Sequence, residues 1–337
     1  LAKAPLPFPK QQHIAIIGGD SLIARELREM LEAEKPAPRV QLISSSAEDS
    51  INLVPEDEDA VVLMPLTKDS LEGSTIAYLA GSAASSRRAL KLSGKDDRQL
   101  IDLTGALFEQ PEAQLRAPSA EPKAFQRKLK AIQVVAHPAA IALTMLLTRL
   151  AAAGKIRASL VHVFEPASER GPRGIEELRK QTVGVLAFKK LETTVFDTQL
   201  AFNLLARYGE EALEALEVIE QRIERDTAAL LSAWAAMPMP SIRLVQAPVF
   251  HGHSMSLWVE FESKVDAKQV KRILTAAEID VRPDEPPSNV NITGQSGLSV
   301  GAVNADRNNP NACWIWMVAD NLRLSAENAI AVSKEKS

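Results

Sequence analysis

Apolar and polar positions along the first third of the chain alternate between two periods. HIAIIGG is a β-rich run ending at two glycines, and SLIARELREMLEAE follows with apolar residues at helical spacing. VQLISSS then returns to a strand pattern, so residues 13–46 predict a β-α-β opening. DAVVLMPL, STIAYLAG, RQLIDLTG and AIQVVAHP add further short apolar runs, separated by loops or helices such as SSRRALKLSG. Near-continuous apolar strands of this length predict a parallel sheet covered on both faces, an α/β architecture over roughly the first 130 residues.

The pattern changes after the apolar helix ALTMLLTRLAAAG. SLVHVFEPAS reads as a strand and GPRGIEELRKQTVGVL as a charged segment. EEALEALEVIEQRIERDTAALLSAW reads as one long helix whose Leu213, Leu216, Ile219 and Ile223 form the apolar face. IRLVQAPVF and MSLWVEFES are strands on either side of His-Gly-His, AKQVKRILTAAE is a helix, and VRPDEPPSNVN is a proline-rich loop. SVGAVNAD and CWIWMVAD are strands, and LRLSAENAIAVSKE is a closing helix. No internal repeat is visible.

The 337 residues are 46% apolar, enough for two domains. The net charge of −4, with Lys and Arg interleaved among acids, predicts no nucleic-acid partner. No run of about 18 apolar residues predicts a membrane span. The opening LAKAPLPFPKQQ lacks the apolar core and cleavage site of a signal peptide, so the expectation is a cytoplasmic chain. A single cysteine, Cys313, excludes an internal disulfide, and no metal site is expected from five scattered histidines. His251 and His253 are the one close pair; on an extended chain both rings would point to the same side.

Two junctions carry candidate chemistry. GGDSLIA opens the first helix where a dinucleotide fold uses three glycines at three-residue spacing. Gly18 and Gly19 are present, while Ser21 and Ala24 take the later positions and narrow the approach of a pyrophosphate. VVAHPAAIALTMLL is the second, a strand, a proline turn and an apolar helix. Such a helix start favours an anion or an activated nucleophile, yet the turn offers His137, Pro138, Ala139 and Ala140.

Four ordered segments then give a family resemblance: RGPRGIEELRKQT at 170–182, QLAFNLLA at 199–206, APVFHGHSMSLWVEF at 247–261 and WMVADNLR at 316–323. The chain resembles aspartate-semialdehyde dehydrogenases along nearly its whole length, and in particular their Usg-type bacterial relatives. The resemblance implies a Rossmann-like NAD(P)-binding-type domain over 1–138, completed by the C-terminal helix at 320–337. It implies an α+β dimerisation and substrate-type domain with a mixed sheet over 139–319, and a homodimer. It also implies a cysteine nucleophile, a histidine base, an orienting glutamine, two anion-binding arginines and NAD or NADP.

Matched onto this chain, the nucleophile position is Ala140 and the glutamine position is Glu165. The substrate arginine falls on Gln246 and the phosphate arginine on Phe108. His253 keeps the family base, Glu220 matches a substrate-contacting glutamate, and Ser44 opens a Ser-Ser-Ser where the NADP-type Ser-Ser-Arg would stand. The expectation is a diverged, non-catalytic relative with no certain cofactor, binding a protein partner or small ligand. The alternative is an NAD(P)-dependent oxidoreductase without a thioester step, using His253, His137 and Glu165 as acid–base groups. NPNAC at 309–313 mimics the nucleophile motif, but Cys313 opens a strand and is expected in the core. His137 is expected to be a packed or cleft-lining histidine, since no partner cysteine or acidic pair is evident nearby.

Overall fold

The computed structural model describes residues 12–46, 52–56, 59–94, 97–128, 132–235 and 237–335. The expectation about a leader at 1–12 lies outside the described residues apart from Gln12. Two compact units divide the chain: one is bounded by Leu1–Arg116, Arg127–Val135 and Ala326–Ser337, the other by Ala117–Gln126 and Ala136–Ser325. Both are taken over their described residues only.

The first unit holds β1 (His13–Ile17), α1 (Leu22–Glu32), β2 (Arg39–Ile43), β3 (Asn52–Glu56), β4 (Asp59–Leu63), α2 (Lys68–Leu71), β5 (Ile76–Leu79), α3 (Ala83–Ser93), β6 (Gln99–Asp102), β7 (Ala113–Arg116) and β8 (Ile132–Val135). Its main sheet runs β2-β1-β5-β6-β8-β7, and every pairing is parallel. Ala15, Ile17, Ile43, Leu66, Ala77, Leu79 and Val134 form its core, which is why these strands read as continuous apolar runs. DAVVLMPL departs from the expectation. As β4 it pairs antiparallel with β3 in a separate ribbon, and only the bridge Ile43–Met64 ties it to the parallel sheet.

The second unit holds α4 (Pro138–Leu150), β9 (Ile156–Glu165), α5 (Gly171–Leu186), α6 (Leu216–Leu231), β10 (Ser241–Gln246), β11 (His253–Phe261), α7 (Ala267–Ala276), β12 (Asp280–Arg282), α8 (Asn289–Ile292), β13 (Ser299–Ala305) and β14 (Ala312–Ala319). Its sheet runs β10-β9-β11-β14-β13-β12 and is mixed, with parallel pairs at both edges and antiparallel pairs between. α9 (Asn321–Lys334) begins here, and its residues from Ala326 belong to the first unit. The fold is therefore α/β with one parallel and one mixed sheet. No helix among the described residues is long and apolar enough to cross a membrane.

Three local departures have physical causes. The long helix begins at Leu216 rather than near residue 210. Leu213 lies outside it, 72% exposed, because the turn before it is held by Asp197, whose carboxylate accepts the Glu211 N–H. The charged segment 171–186 is a full helix, α5, with Pro172 in its first turn. The proline-rich loop contains a short strand, β12, and the short helix α8.

α5 also explains the most specific of the resembling segments. Glu177 is buried and accepts from Val195 N at 2.6 Å, Phe196 N at 3.2 Å and Thr194 Oγ1 at 2.9 Å. One turn on, Gln181 Oε1 accepts from Leu200 N and Ala201 N, while its Nε2 donates to the carbonyls of Glu192 and Thr198. These two side chains replace a sheet for the irregular segment 192–201, satisfying backbone groups that would otherwise be buried unpaired.

Candidate functional site

The site begins where β8 hands over to α4. Pro138 takes the first helical position, where its missing N–H costs nothing, and His137 is the N-cap. His137 Nδ1 accepts the Ala139 N–H at 3.2 Å, and its own backbone N–H donates to Asp226 Oδ2 at 2.9 Å. Asp226 sits buried on α6 and is held by Arg225 at 2.9 Å. Ala140 occupies the third helical position, buried, with only a methyl group to offer.

Three neighbouring strand ends supply the next layer. Gln246 of β10 is in register with Glu165 of β9, and the antiparallel register of β9 with β11 brings His253 to the same level on the other side. His253 Nε2 lies 3.1 Å from Glu165 Oε2. Gln246 donates to the carbonyls of Glu165 and Ala247 and accepts from Tyr208 Oη at 2.5 Å, so its amide is used up inside the protein. A 3-10 turn over Ala167–Arg170 then folds two more charges inward. Arg170 donates to Glu165 Oε1 at 3.4 Å and pairs with Glu214. Glu169 accepts from Asn321 Nδ2 at 2.7 Å, and its Oε2 lies 3.7 Å from His137 Nε2. The rings of His137 and His253 are 5.6 Å apart.

These contacts set the charges. Burial alone would push the His253 pKa down, but the hydrogen bond to the Glu165 carboxylate and the charge of Glu169 outweigh it and hold the ring above its ordinary value. His137 is held well below its ordinary value by burial, then by the cations Arg222, His253 and Arg170. Burial raises Glu169, and Glu165 adds to it against the opposing pull of His253. Burial opposes the charge on Arg170, but Glu165 keeps it firmly protonated.

The two histidines give opposite pH dependences. His253, raised, contributes stability that is complete below the unfolded value of about 6.5 and lost as pH rises through the folded value. His137, depressed, contributes stability that is complete above about 6.5 and lost as pH falls. Asn at position 137 can still cap α4 but does not titrate. The stability advantage of the wild type over H137N is therefore expected to shrink below pH of about 6.5, measured by urea unfolding across a pH series; an advantage that stays constant contradicts the assignment.

His137 is buried, and Glu165 and Glu169 stand beside it, an acidic pair that was not evident in the sequence. His137, Glu165 and Glu169 bring one ligand-type atom each to within 4.8 Å of one another. The geometry argues against a metal there, because Nδ1 is an acceptor for the helix and the ring's proton must sit on Nε2, the atom a cation would need. Glu169, Arg170, Tyr208 and Asn321 were not among the sequence candidates. The signal for two of them was present as EPASER, three charged groups in six residues between a strand and a Gly-Pro.

The remaining candidates fall elsewhere. Gly252, at φ +81°, breaks the extended path through His-Gly-His, so His253 is buried while His251 is half-buried. Glu220 accepts the Leu244 N–H at 2.5 Å and serves the edge of β10. Phe108 packs against the core of the first unit. Cys313 is 1% exposed and pairs with Val259 on β11, six residues along β14 from Ala319, which pairs with His253. Six residues of strand are roughly 20 Å. Burial pushes the thiol up to about 12. A thiol reagent is expected to leave Cys313 unmodified in the native protein and to react once it is unfolded in denaturant.

The dinucleotide turn keeps its shape. Gly18, at φ +86°, passes so close to Gly81 that a Cβ would stand 2.2 Å from its Cα. Four of its donors are engaged: Gly18 and Gly19 N–H bond to Ile43 O, Ser21 N–H to Gly18 O, and Ala24 N–H to Ser21 Oγ. Ser44 Oγ accepts the Ser46 N–H. Between Arg39 and Lys68 the sequence has six carboxylates and no cation. These residues do not fit a dinucleotide bearing a 2′-phosphate.

Residues 147–324 match the family model described as semialdehyde dehydrogenase, dimerisation domain. The USG-1 protein homolog of Pseudomonas aeruginosa is 30% identical over 334 residues, covering 96% of each chain. The aspartate-semialdehyde dehydrogenase of Rickettsia bellii is 25% identical over 335 residues, covering 97% of this chain and 98% of that one. Among solved structures, a probable aspartate-semialdehyde dehydrogenase from Pseudomonas aeruginosa superposes with a TM-score of 0.83 at 28% identity, covering 96% of this chain and 98% of that one. The chain belongs to the aspartate-semialdehyde dehydrogenase family, and within it to the USG-1 type.

Proposed function

We infer that this chain is a diverged, USG-1-type family member that does not oxidise semialdehydes. The observation that supports this reading is Ala140 at the helix start, with Cys313 buried, protonated and about 20 Å along β14 from the residue that pairs with His253. A methyl group forms no thiohemiacetal or thioester. Gln246 is committed to backbone carbonyls and Tyr208, and cannot clamp a carboxylate as an arginine does. The carboxylates of Glu165 and Glu169 stand where an anionic substrate would have to sit.

The same reading makes the chain a cytoplasmic homodimer built on the second unit. Phe188, Phe202 and Leu204, all within the matched dimerisation segment, are large, apolar and exposed, Phe188 almost completely. Sedimentation is expected to give a dimer. NADPH is expected to bind weakly or not at all when titrated by fluorescence, given the acidic stretch after β2 and its lack of a cation for the 2′-phosphate. An NAD(P)-dependent reductase without a thioester is the second reading, favoured only by the retained Gly18–Gly81 cradle. Absence of binding at millimolar NADH would remove it.

A further inference from the structure

His137 is built as a one-sided donor. α4 presents the Ala139 N–H to Nδ1, so the proton of the neutral ring stays on Nε2. Nε2 is buried and makes no hydrogen bond within the protein, with Glu169 Oε2 the facing carboxylate oxygen at 3.7 Å. The positive end of α4 and the cations Arg222, Arg170 and His253 all oppose a second proton on the ring. A neutral imidazole fixed at a helix N-terminus, with Nε2–H free, is the arrangement that polarises a carbonyl oxygen and stabilises the enolate formed from it.

A base stands at the right place. Asn321 holds Oε1 of Glu169, which leaves Oε2 turned toward His137. Glu165 is tied to His253 and Arg170, so Glu169 is the carboxylate left to act. Glu169 keeps 15% of its side chain exposed, which puts the base at the edge of solvent with the buried Nε2 behind it. The two neighbouring carboxylates repel an anionic oxygen, which selects an uncharged carbonyl compound over a carboxylate or phosphate. Ala140 offers nothing to attack the carbonyl carbon, so a bound carbonyl would be polarised rather than captured.

We propose that His137 and Glu169 form a proton-transfer site for a small, uncharged aldehyde or ketone. Glu169 Oε2 takes a hydrogen from the carbon beside the carbonyl. The C–H electron pair becomes the new C=C bond as the C=O π pair moves onto oxygen, which His137 Nε2–H holds. The proton returns from Glu169 to the same carbon, exchanging hydrogen; in a hydroxyketone, where the hydroxyl proton passes to the neighbouring enediolate oxygen, it can instead go to the former carbonyl carbon as the new C=O forms at the other, isomerising the compound. No oxidant or cofactor is consumed. This goes beyond the loss of thiol chemistry and does not depend on it.

The test uses the full chain with hydroxyacetone in deuterated water, followed by proton NMR. Protein-dependent loss of the hydrogens beside the carbonyl is expected, falling about 100-fold in E169Q. H137N, which keeps the cap acceptor but lacks a donor in the Nε2 position, should lose exchange to a similar degree while remaining folded, as its circular dichroism and cooperative unfolding check. Nitrogen NMR should place the His137 proton on Nε2 at neutral pH. Exchange no faster than buffer, variants that exchange like the wild type, or a proton on Nδ1 would each overturn the proposal. NADPH formation from a semialdehyde would instead overturn the earlier reading, so the two failures are distinguishable.

Discussion

Replacing Arg170 with methionine is expected to destabilise the second unit by about 3–5 kcal/mol. Arg170 is the cation that balances Glu165, and its guanidinium also holds Glu214. Methionine fills similar volume but leaves Glu165 buried opposite an imidazole alone. The loss therefore comes from stranding a charge rather than from a cavity. Adding E165Q removes the stranded charge and restores the residue type the family resemblance implies at that position. The double variant R170M/E165Q should recover a substantial part of the loss, a coupling that a double-mutant cycle in urea measures directly. Additive losses would mean that the pair does not act as a unit.

Glu177→Ala should cost a comparable amount, about 2–5 kcal/mol, for a different reason. Glu177 carries no ion pair of its own and works as an acceptor for Val195 N, Phe196 N and Thr194 Oγ1. Alanine leaves two buried backbone N–H groups without an acceptor, and segment 192–201 loses its anchor. Glu177→Gln keeps the volume but turns one acceptor into a donor facing N–H groups, so it should rescue only part. Amide exchange at Val195 and Phe196 should rise in both variants ahead of global unfolding. Unchanged exchange there would show that the anchor lies elsewhere.

The backbone frame was legible because burial on both faces writes itself as continuous apolar runs, and because Gly18 and Pro138 punctuate the two strand-to-helix junctions. β3 and β7 were not, being four or five residues long with polar residues among the apolar ones. Leu213 was misplaced because helical spacing continues past the point where packing stops. At the site, His253, Glu165 and Gln246 stand together at three neighbouring strand ends. Glu169 and Arg170 were invisible for another reason. Their role depends on a 3-10 turn that folds both inward, and a charge run on its own reads as a solvated surface. The same turn gives His137 its facing carboxylate, which the sequence could not reveal because a histidine's partners come from strands and turns distant in sequence.

In the proposed reading the nucleophile, glutamine and both arginine positions of the semialdehyde site have changed together, with the family histidine kept at His253. The most direct measurement is NADPH formation from aspartate semialdehyde with NADP and phosphate, run on the wild type and on A140C. The account predicts no turnover above background in either. A cysteine at position 140 would face Glu165 and Glu169 where a substrate needs cations, with Gln246 and Phe108 standing at the arginine positions. Robust turnover by A140C would contradict it, showing that the binding site had survived and only the thiol was missing; turnover by the wild type would contradict it outright.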